Sequence, residues 1–255
     1  MNKYEKFDEQ IIEMAKAGLR PADISKKLNI DSRRVIDRLK INNITDYNRG
    51  NSNKRIDIEN DIQRQVLIGT ILGDGCIFKG KGNKNCRMNL AHSLKQKEYF
   101  LYKYNILKSL GFQEPKVEKE IHSKNKQEYY CIKTQSLTNP LFTGLYNIWY
   151  KNGKKIIPKN HLKDITDLSI AIIYFDDGYY DSTFYIAMCN FDIESINNFR
   201  ELLFNKYKIE TTIQKNNILY IRTNSKIKFF NIINRYATSD VLYKLGELLE
   251  TPESL

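Results

Sequence analysis

The 255-residue chain is 41% hydrophobic and 12% aromatic, enough to build a packed core and too much for a disordered tail. Its 41 lysines and arginines outnumber 30 aspartates and glutamates, and the resulting charge of +11 points to a polyanionic partner. Four scattered cysteines without a CxxC pair argue against a disulfide framework or a zinc cluster. No 18-residue apolar stretch and no N-terminal h-region occur, so an intracellular protein is expected, cytoplasmic (nucleoid) or organellar, not secreted and not in a membrane.

Residues 8–42 predict three short helices, 8–17, 21–28 and 32–42, broken at Gly18 and opened by Pro21 and by Asp31 or Ser32. Ile24, Leu28, Ile30, Val35 and Leu39 have the spacing of helices packed across a tight turn, which leaves Ser32, Arg33, Arg34 and Arg38 available outside. That pattern resembles a helix-turn-helix whose last helix enters a DNA major groove, and it assigns residues 1–43 to such a domain. A small bundle that binds no DNA is the alternative. Residues 44–59 are polar and asparagine-rich and read as a linker, which either runs along phosphates through Arg49, Lys54 and Arg55 or is a solvated tether.

From residue 60 a weak internal repeat appears, anchored on two apolar runs that end in Asp-Gly: Leu67-Ile68-Gly69-Thr70-Ile71-Leu72-Gly73-Asp74-Gly75 and Ile170-Ala171-Ile172-Ile173-Tyr174-Phe175-Asp176-Asp177-Gly178. After the first come strand-like pieces at 87–93, 116–121 and 128–134 around a helix-like 96–110. After the second come strands at 184–190, 210–214 and 218–223 around a helix at 193–207. The chain therefore reads as α+β with two similar halves, 60–165 and 166–255. Charge is uneven between them: residues 51–165 carry 21 basic and 10 acidic side chains, residues 166–255 carry 9 and 12.

A carboxylate at a helix C-terminus faces the negative end of the macrodipole, and two such carboxylates brought together repel each other. A divalent cation removes both penalties. Aspartate oxygens suit Mg²⁺, with Mn²⁺ as a substitute, and the chemistry best served is phosphodiester hydrolysis. Gly69 and Gly73 lie on one helix face and allow close approach of a second helix, while Gly75 and Gly178 are expected to end their helices with φ > 0. His92, His122 and His161 are isolated and read as ordinary strand or surface residues.

The two phrases resemble the motif of the LAGLIDADG homing endonucleases in their single-chain, two-motif form, and the likeness covers about residues 60–250. It is closest to the yeast mitochondrial intron-encoded enzyme type. The resemblance implies a pseudo-two-fold fold of two αββαββα-like halves, each laying its sheet along a DNA major groove. It implies that Asp74 and Asp177 bind the divalent metals, with backbone carbonyls of Gly73 and Asp176 as further ligands. In similar enzymes a lysine before the second motif and one near the end of the chain lie near the scissile phosphates. Here these correspond to Lys155, for which Lys154 competes, and Lys244. The second motif departs from the family pattern, with Ile172 where the first has Gly69 and with Asp176 before its last aspartate. The closest helix contact is then expected at Ser169 or Ala171, and Asp176 either offers its backbone carbonyl to metal or simply turns its side chain to solvent.

Polar strand residues are the candidates for reading base edges. In the first half these are Arg87, Asn89, Lys119 and Lys133, with Lys79, Lys81, Lys84 and Lys126 on phosphates. In the second half they are Tyr185, Asn190, Gln214, Lys215, Arg222 and Asn224. The expected activity is metal-dependent, site-specific cleavage of both strands of DNA at a long asymmetric site by a monomer, intron-encoded or free-standing. The alternatives on the same fold are an RNA maturase acting on intron RNA and a non-cleaving DNA-binding regulator. An intein is disfavoured because splice-junction chemistry is missing at both ends.

Overall fold

The computed structural model describes residues 4–44, 56–121 and 128–250. The chain divides into two compact units, Met1–Lys54 and Arg55–Leu255. Arg49, Lys54, Arg55, His122 and Lys126 lie outside the described residues.

The first unit holds three helices, α1 (Asp8–Lys16), α2 (Pro21–Leu28) and α3 (Ser32–Ile41). Their boundaries follow local chemistry. Gly18 takes φ +85° just after α1, Pro21 opens α2 where its missing N–H goes unused, and the Asp31 side chain accepts the Arg33 N–H to cap α3. Ile11, Ala15, Ile24, Val35 and Leu39 form the core of this unit. One expected surface residue is inside. Arg38 is buried and ion-paired with Asp8 of α1, because its long side chain spans the gap between α3 and α1. It is therefore a structural residue of the unit, whereas Arg33 and Arg34 remain exposed.

The second unit runs α4 (Asp61–Leu72), β1 (Cys76–Phe78), β2 (Arg87–Ser93), α5 (Lys97–Leu107), β3 (Lys116–Ile121), β4 (Glu128–Gln135) and α6 (Pro140–Trp149). A small hairpin follows, β5 (Tyr150–Lys151) and β6 (Lys154–Lys155). Then the order repeats: α7 (Asp167–Asp177), β7 (Gly178–Asp181), β8 (Thr183–Ala187), α8 (Ile193–Tyr207), β9 (Thr211–Gln214), β10 (Ile218–Ile221) and α9 (Lys226–Ile233), with a 3-10 segment at Ser239–Glu250. Each half is αββαββα, and the antiparallel sheets have matching orders, β1-β2-β4-β3 and β7-β8-β10-β9.

Strands β1 and β7 are absent from the sequence-based expectation. Each is too short to show alternation and exists because it pairs with β2 or β8. Strand β8 is shorter than expected because the chain turns at Met188, whose carbonyl accepts the Phe191 N–H.

The motif helices α4 and α7 pack against one another at the centre of the unit. From Val66 to Leu72 and from Leu168 to Phe175 every residue is buried, which is why both runs are apolar all round. They approach closely at Gly69, where an added Cβ would come 2.8 Å from Ile172 Cβ and 2.9 Å from the Ser169 carbonyl. The Ser169 hydroxyl in turn donates to the Gln65 carbonyl at 3.0 Å. Neither Gly75 nor Gly178 has positive φ, contrary to expectation. Their lack of a side chain serves close packing instead, Gly75 against the Thr70 carbonyl and Gly178 against Tyr174.

Candidate active site

Helices α4 and α7 deliver Asp74 and Asp177 at their C-terminal ends. Burial, together with Asp176, pushes the Asp74 carboxyl up to about 6. Burial, then Asp74 and Asp176, pushes Asp177 up to about 7. Asp176 thus raises both, and Asp74 raises Asp177 as well, the electrostatic signature of acidic groups gathered at one place. A set of hard carboxylate oxygens whose ionised forms are mutually penalised fits a divalent cation, because the cation's charge removes the penalty.

A lysine closes on each helix end. Lys155, carried by the β5–β6 hairpin, donates to the Gly73 carbonyl. That hairpin is a two-residue turn, Asn152 at φ +50° and Gly153 at φ +78°, and this Asn-Gly pair is the sequence signal that could have located it. Lys244 donates to the Phe175 carbonyl at 2.7 Å and to the Asp176 carbonyl at 3.3 Å. Burial lowers both ammonium pKa values, against the pull of the surrounding aspartates. Lys154, its rival in the sequence, is exposed. The Gly73 and Asp176 carbonyls thus accept from lysines.

The Asp176 side chain is not solvent-facing. It is fully buried and accepts from Lys103 Nζ at 2.7 Å, from the Tyr99 hydroxyl at 2.8 Å and from the Asp74 backbone N–H at 2.9 Å. Burial opposes its ionisation, but the Lys103 ammonium, with the hydrogen bond from the Asp74 N–H, outweighs it and holds the carboxyl below its ordinary value. His92, on the inward face of β2, places Nδ1 3.5 Å from Asp74 Oδ2 and Nε2 3.8 Å from Asp176 Oδ1. Burial, reinforced by Lys103, drives its pKa down to about 3, so the ring is neutral. Ligand atoms of Asp74, His92 and Asp176 lie within 4.8 Å of one another. His92, Tyr99 and Lys103 are neighbours of the site that sequence reasoning missed: the fold of the first half sets His92 beside Asp74, and the packing of α7 brings Asp176 to all three. His161, by contrast, pairs locally with Asp164 at 2.7 Å.

The open face of the first sheet follows from its register. Asn89 pairs with Gln135, and Ala91 with Lys133, itself opposite Lys116. Arg87 shares this face with Asn89 and stacks over Phe78 at 4.8 Å. Lys79, Lys81 and Lys84 are exposed on the β1–β2 connection. Two expectations change. Lys119 lies on the opposite face, one residue out of phase with Lys116 and Glu118, and pairs with Glu128 at 2.7 Å. Lys133 is on the open face but is held by Glu118 and Glu120, which raise its pKa. Lys116 and Gln135 join the face although the sequence did not single them out.

The second sheet presents aromatic groups. Tyr179, Tyr185 and Tyr220 occupy one cross-strand row. The first two rings stack at 4.9 Å with planes 2° apart, and Tyr185 meets Tyr220 at 5.3 Å. Gln214 shares the open face, while Asn190 and Lys215 are exposed beyond the strand ends. Arg222 and Asn224 are exposed but both bind Glu210, at 3.2 and 3.1 Å.

A sequence profile described as the LAGLIDADG DNA endonuclease family matches residues 64–229, which contain both motif helices and both sheets. The cytochrome b mRNA maturase bI2 of Debaryomyces hansenii is 28% identical over 208 residues, covering 78% of this chain and 78% of that protein. The probable intron-encoded endonuclease 1 of Wickerhamomyces canadensis is 30% identical over 201 residues, covering 72% of this chain and 84% of that one. Among solved structures, the homing endonuclease I-WcaI bound to its DNA recognition sequence matches the fold with a TM-score of 0.66 at 24% identity, over 74% of this chain and 88% of that chain. With the paired motif helices, the duplicated αββαββα halves and these matches together, the chain belongs to the LAGLIDADG DNA endonuclease family.

Proposed function

We propose that the protein is a homing endonuclease that hydrolyses both strands of a long, asymmetric DNA site as a monomer, using Mg²⁺ or Mn²⁺. The observation that carries this reading is the delivery of Asp74 and Asp177 by the ends of the packed helices α4 and α7, with Lys155 and Lys244 on the adjoining carbonyls. Asp74 and Asp177, one in each of two centres, would hold divalent metal, which when bound supplies an activated water and stabilises the departing oxygen. Lys155 and Lys244, desolvated beside this centre, offer positive charge to the developing phosphorane charge and can orient the attacking water.

The two sheets would grip DNA differently. Basic side chains on the first, Arg87 with Lys79, Lys81, Lys84 and Lys116, support salt-dependent affinity there. The Tyr179–Tyr185–Tyr220 row of the second favours apolar contact with base edges such as the thymine methyl. Ser32, Arg33 and Arg34 of α3 would extend the footprint by a helix-turn-helix contact. The likeness to a cytochrome b mRNA maturase supports a second reading, intron RNA splicing, either beside cleavage or instead of it.

Among the described residues no helix is long and apolar enough to cross a membrane. The test selects cleaved sites from a randomised duplex library in Mg²⁺ and repeats cleavage with Asp74→Asn and Asp177→Asn. Undiminished cutting of both strands by either variant overturns the site assignment. A splicing assay on the host transcript separates the maturase reading.

A further inference from the structure

The centre at Asp74 is backed by a buried polar cluster that, among the described residues, has no counterpart at the equivalent positions behind Asp177. Asp176, His92, Tyr99 and Lys103 form it, and the Asp176, His92 and Lys103 side chains are 0%, 1% and 0% exposed. Asp176 bonds the Asp74 backbone N–H, while His92 Nδ1 stands 3.5 Å from Asp74 Oδ2, just beyond hydrogen-bond length. Lys103 lies over the Tyr99 ring at 4.5 Å, and Tyr99 meets His92 edge-on at 5.2 Å.

Strand register identifies the equivalent positions in the second half. Cys76 pairs with Asn89, and Tyr179 with Tyr185, each first partner lying two residues past its motif aspartate. Three residues beyond Asn89 is His92; three beyond Tyr185 is Met188. Continuing into α5 and α8 in step, Tyr99 corresponds to Ser195 and Lys103 to Phe199, and the corresponding residues are buried in both halves. Asp176 itself corresponds to Gly73. The place behind Asp74 is thus filled by a carboxylate from α7 with a histidine, a tyrosine and a lysine of the first half, and the place behind Asp177 by the glycine ending α4 with a methionine, a serine and a phenylalanine of the second.

A buried ion pair is costly to desolvate, and an apolar packing of the same place is usually as stable; the second half fills it with buried Met188 and Phe199. Stability therefore does not account for the polar version. What it does add is a hydrogen bond from the Asp74 backbone to Asp176 and an imidazole wall beside the Asp74 carboxylate from His92.

We propose that His92 and Asp176 are positioning residues that fix Asp74, and that the two catalytic centres are consequently unequal, the braced one cutting its strand first. This rests on the endonuclease reading above. Pre-organised ligands and their outer-shell partners typically change metal affinity or rate by about 10–100-fold.

The experiment uses the full chain and a target duplex labelled differently on each strand, with single-turnover rates measured strand by strand. His92→Met installs the side chain that the second half uses, and His92→Gln retains a polar group. A melting curve of each variant accompanies the rates. The native protein is expected to cut one strand faster. His92→Met slows that strand about tenfold while the other stays within about twofold, and His92→Gln recovers part of the loss. A second readout needs no cleavage: in thermal-shift titration of the free protein with Mn²⁺, His92→Met raises the half-saturating concentration by about tenfold. If the folded variants cut both strands at the native ratio, or bind Mn²⁺ as the native protein does, the proposal is overturned. Failure of the native protein to cut at all rejects the endonuclease reading instead, a distinguishable result.

Discussion

The Asp176 side chain occupies the space that any side chain on Gly73 would need: an added Cβ would lie 2.6 Å from Asp176 Cβ. The helix ends therefore meet as a glycine against a buried aspartate, and the pseudo-symmetry of the motifs is broken at their point of contact.

Gly73→Ala should accordingly displace Asp176 and, with it, the N–H of Asp74. Overpacking of this kind costs about 1–3 kcal/mol. Denaturant unfolding should report a loss in that range, together with a fall in cleavage rate larger than the stability loss alone produces. A variant with native stability and activity would show that the contact relaxes freely.

Lys155→Met and Lys244→Met should each slow cleavage by about 10²–10³-fold while leaving DNA affinity in Ca²⁺ close to native, since lost transition-state charge is not lost ground-state binding. Lys154→Ala, which removes an exposed side chain, should stay within about twofold. Gel-shift and single-turnover assays on the same duplex separate these effects.

The raised carboxyl of Asp177 has a direction of pH dependence. Its pKa in the fold, about 7, exceeds the ordinary 3.8, so the folded protein binds the proton more tightly than the unfolded chain. The stabilisation is complete below about pH 4 and is lost as pH rises through 7. His92, held neutral, acts oppositely below its ordinary value, so the comparison must be with a variant. In EDTA, the melting temperature of Asp177→Asn should gain on that of the native protein between pH 5 and 8. Saturating Mg²⁺ should remove the difference by stabilising the native protein. A pH-independent gap would show that the carboxyl is ionised throughout.

In the first unit the arginines of α3 should divide into two classes. Arg38→Ala opens the ion pair with Asp8 and should lower the melting temperature of this unit. Because Arg38 holds the Asp8 carboxyl below its ordinary value, the native advantage should shrink as the pH falls through the acid range. Arg33→Ala and Arg34→Ala should leave melting unchanged and reduce the salt dependence of DNA binding by about one counterion each. Unchanged salt slopes would remove α3 from the DNA footprint.

Much of this molecule was legible before any coordinates. The helix at 193–207, the strands at 87–93 and 116–121, and the Asp-Gly ends of the motif helices are all written in local periodicity and turn chemistry, which act over a few residues. The duplication was legible too, because each half must bury the same faces. Tertiary structure decided which polar residues face outward and which are enclosed. Arg38 and Lys119 look like surface cations in sequence, yet one is taken up by Asp8 thirty residues away and the other falls on the wrong face of its strand. Asp176 stands out in sequence only as a departure from the motif and His92 only as an isolated histidine, because their meeting lies between halves. A carboxylate from α7, a ring from β2 and an ammonium from α5 become one buried cluster only when α4 and α7 pack. Local sequence encodes elements through short-range sterics and hydrogen bonding. The charge environment of a side chain depends on burial and on partners distant in sequence, and only the packed chain determines those.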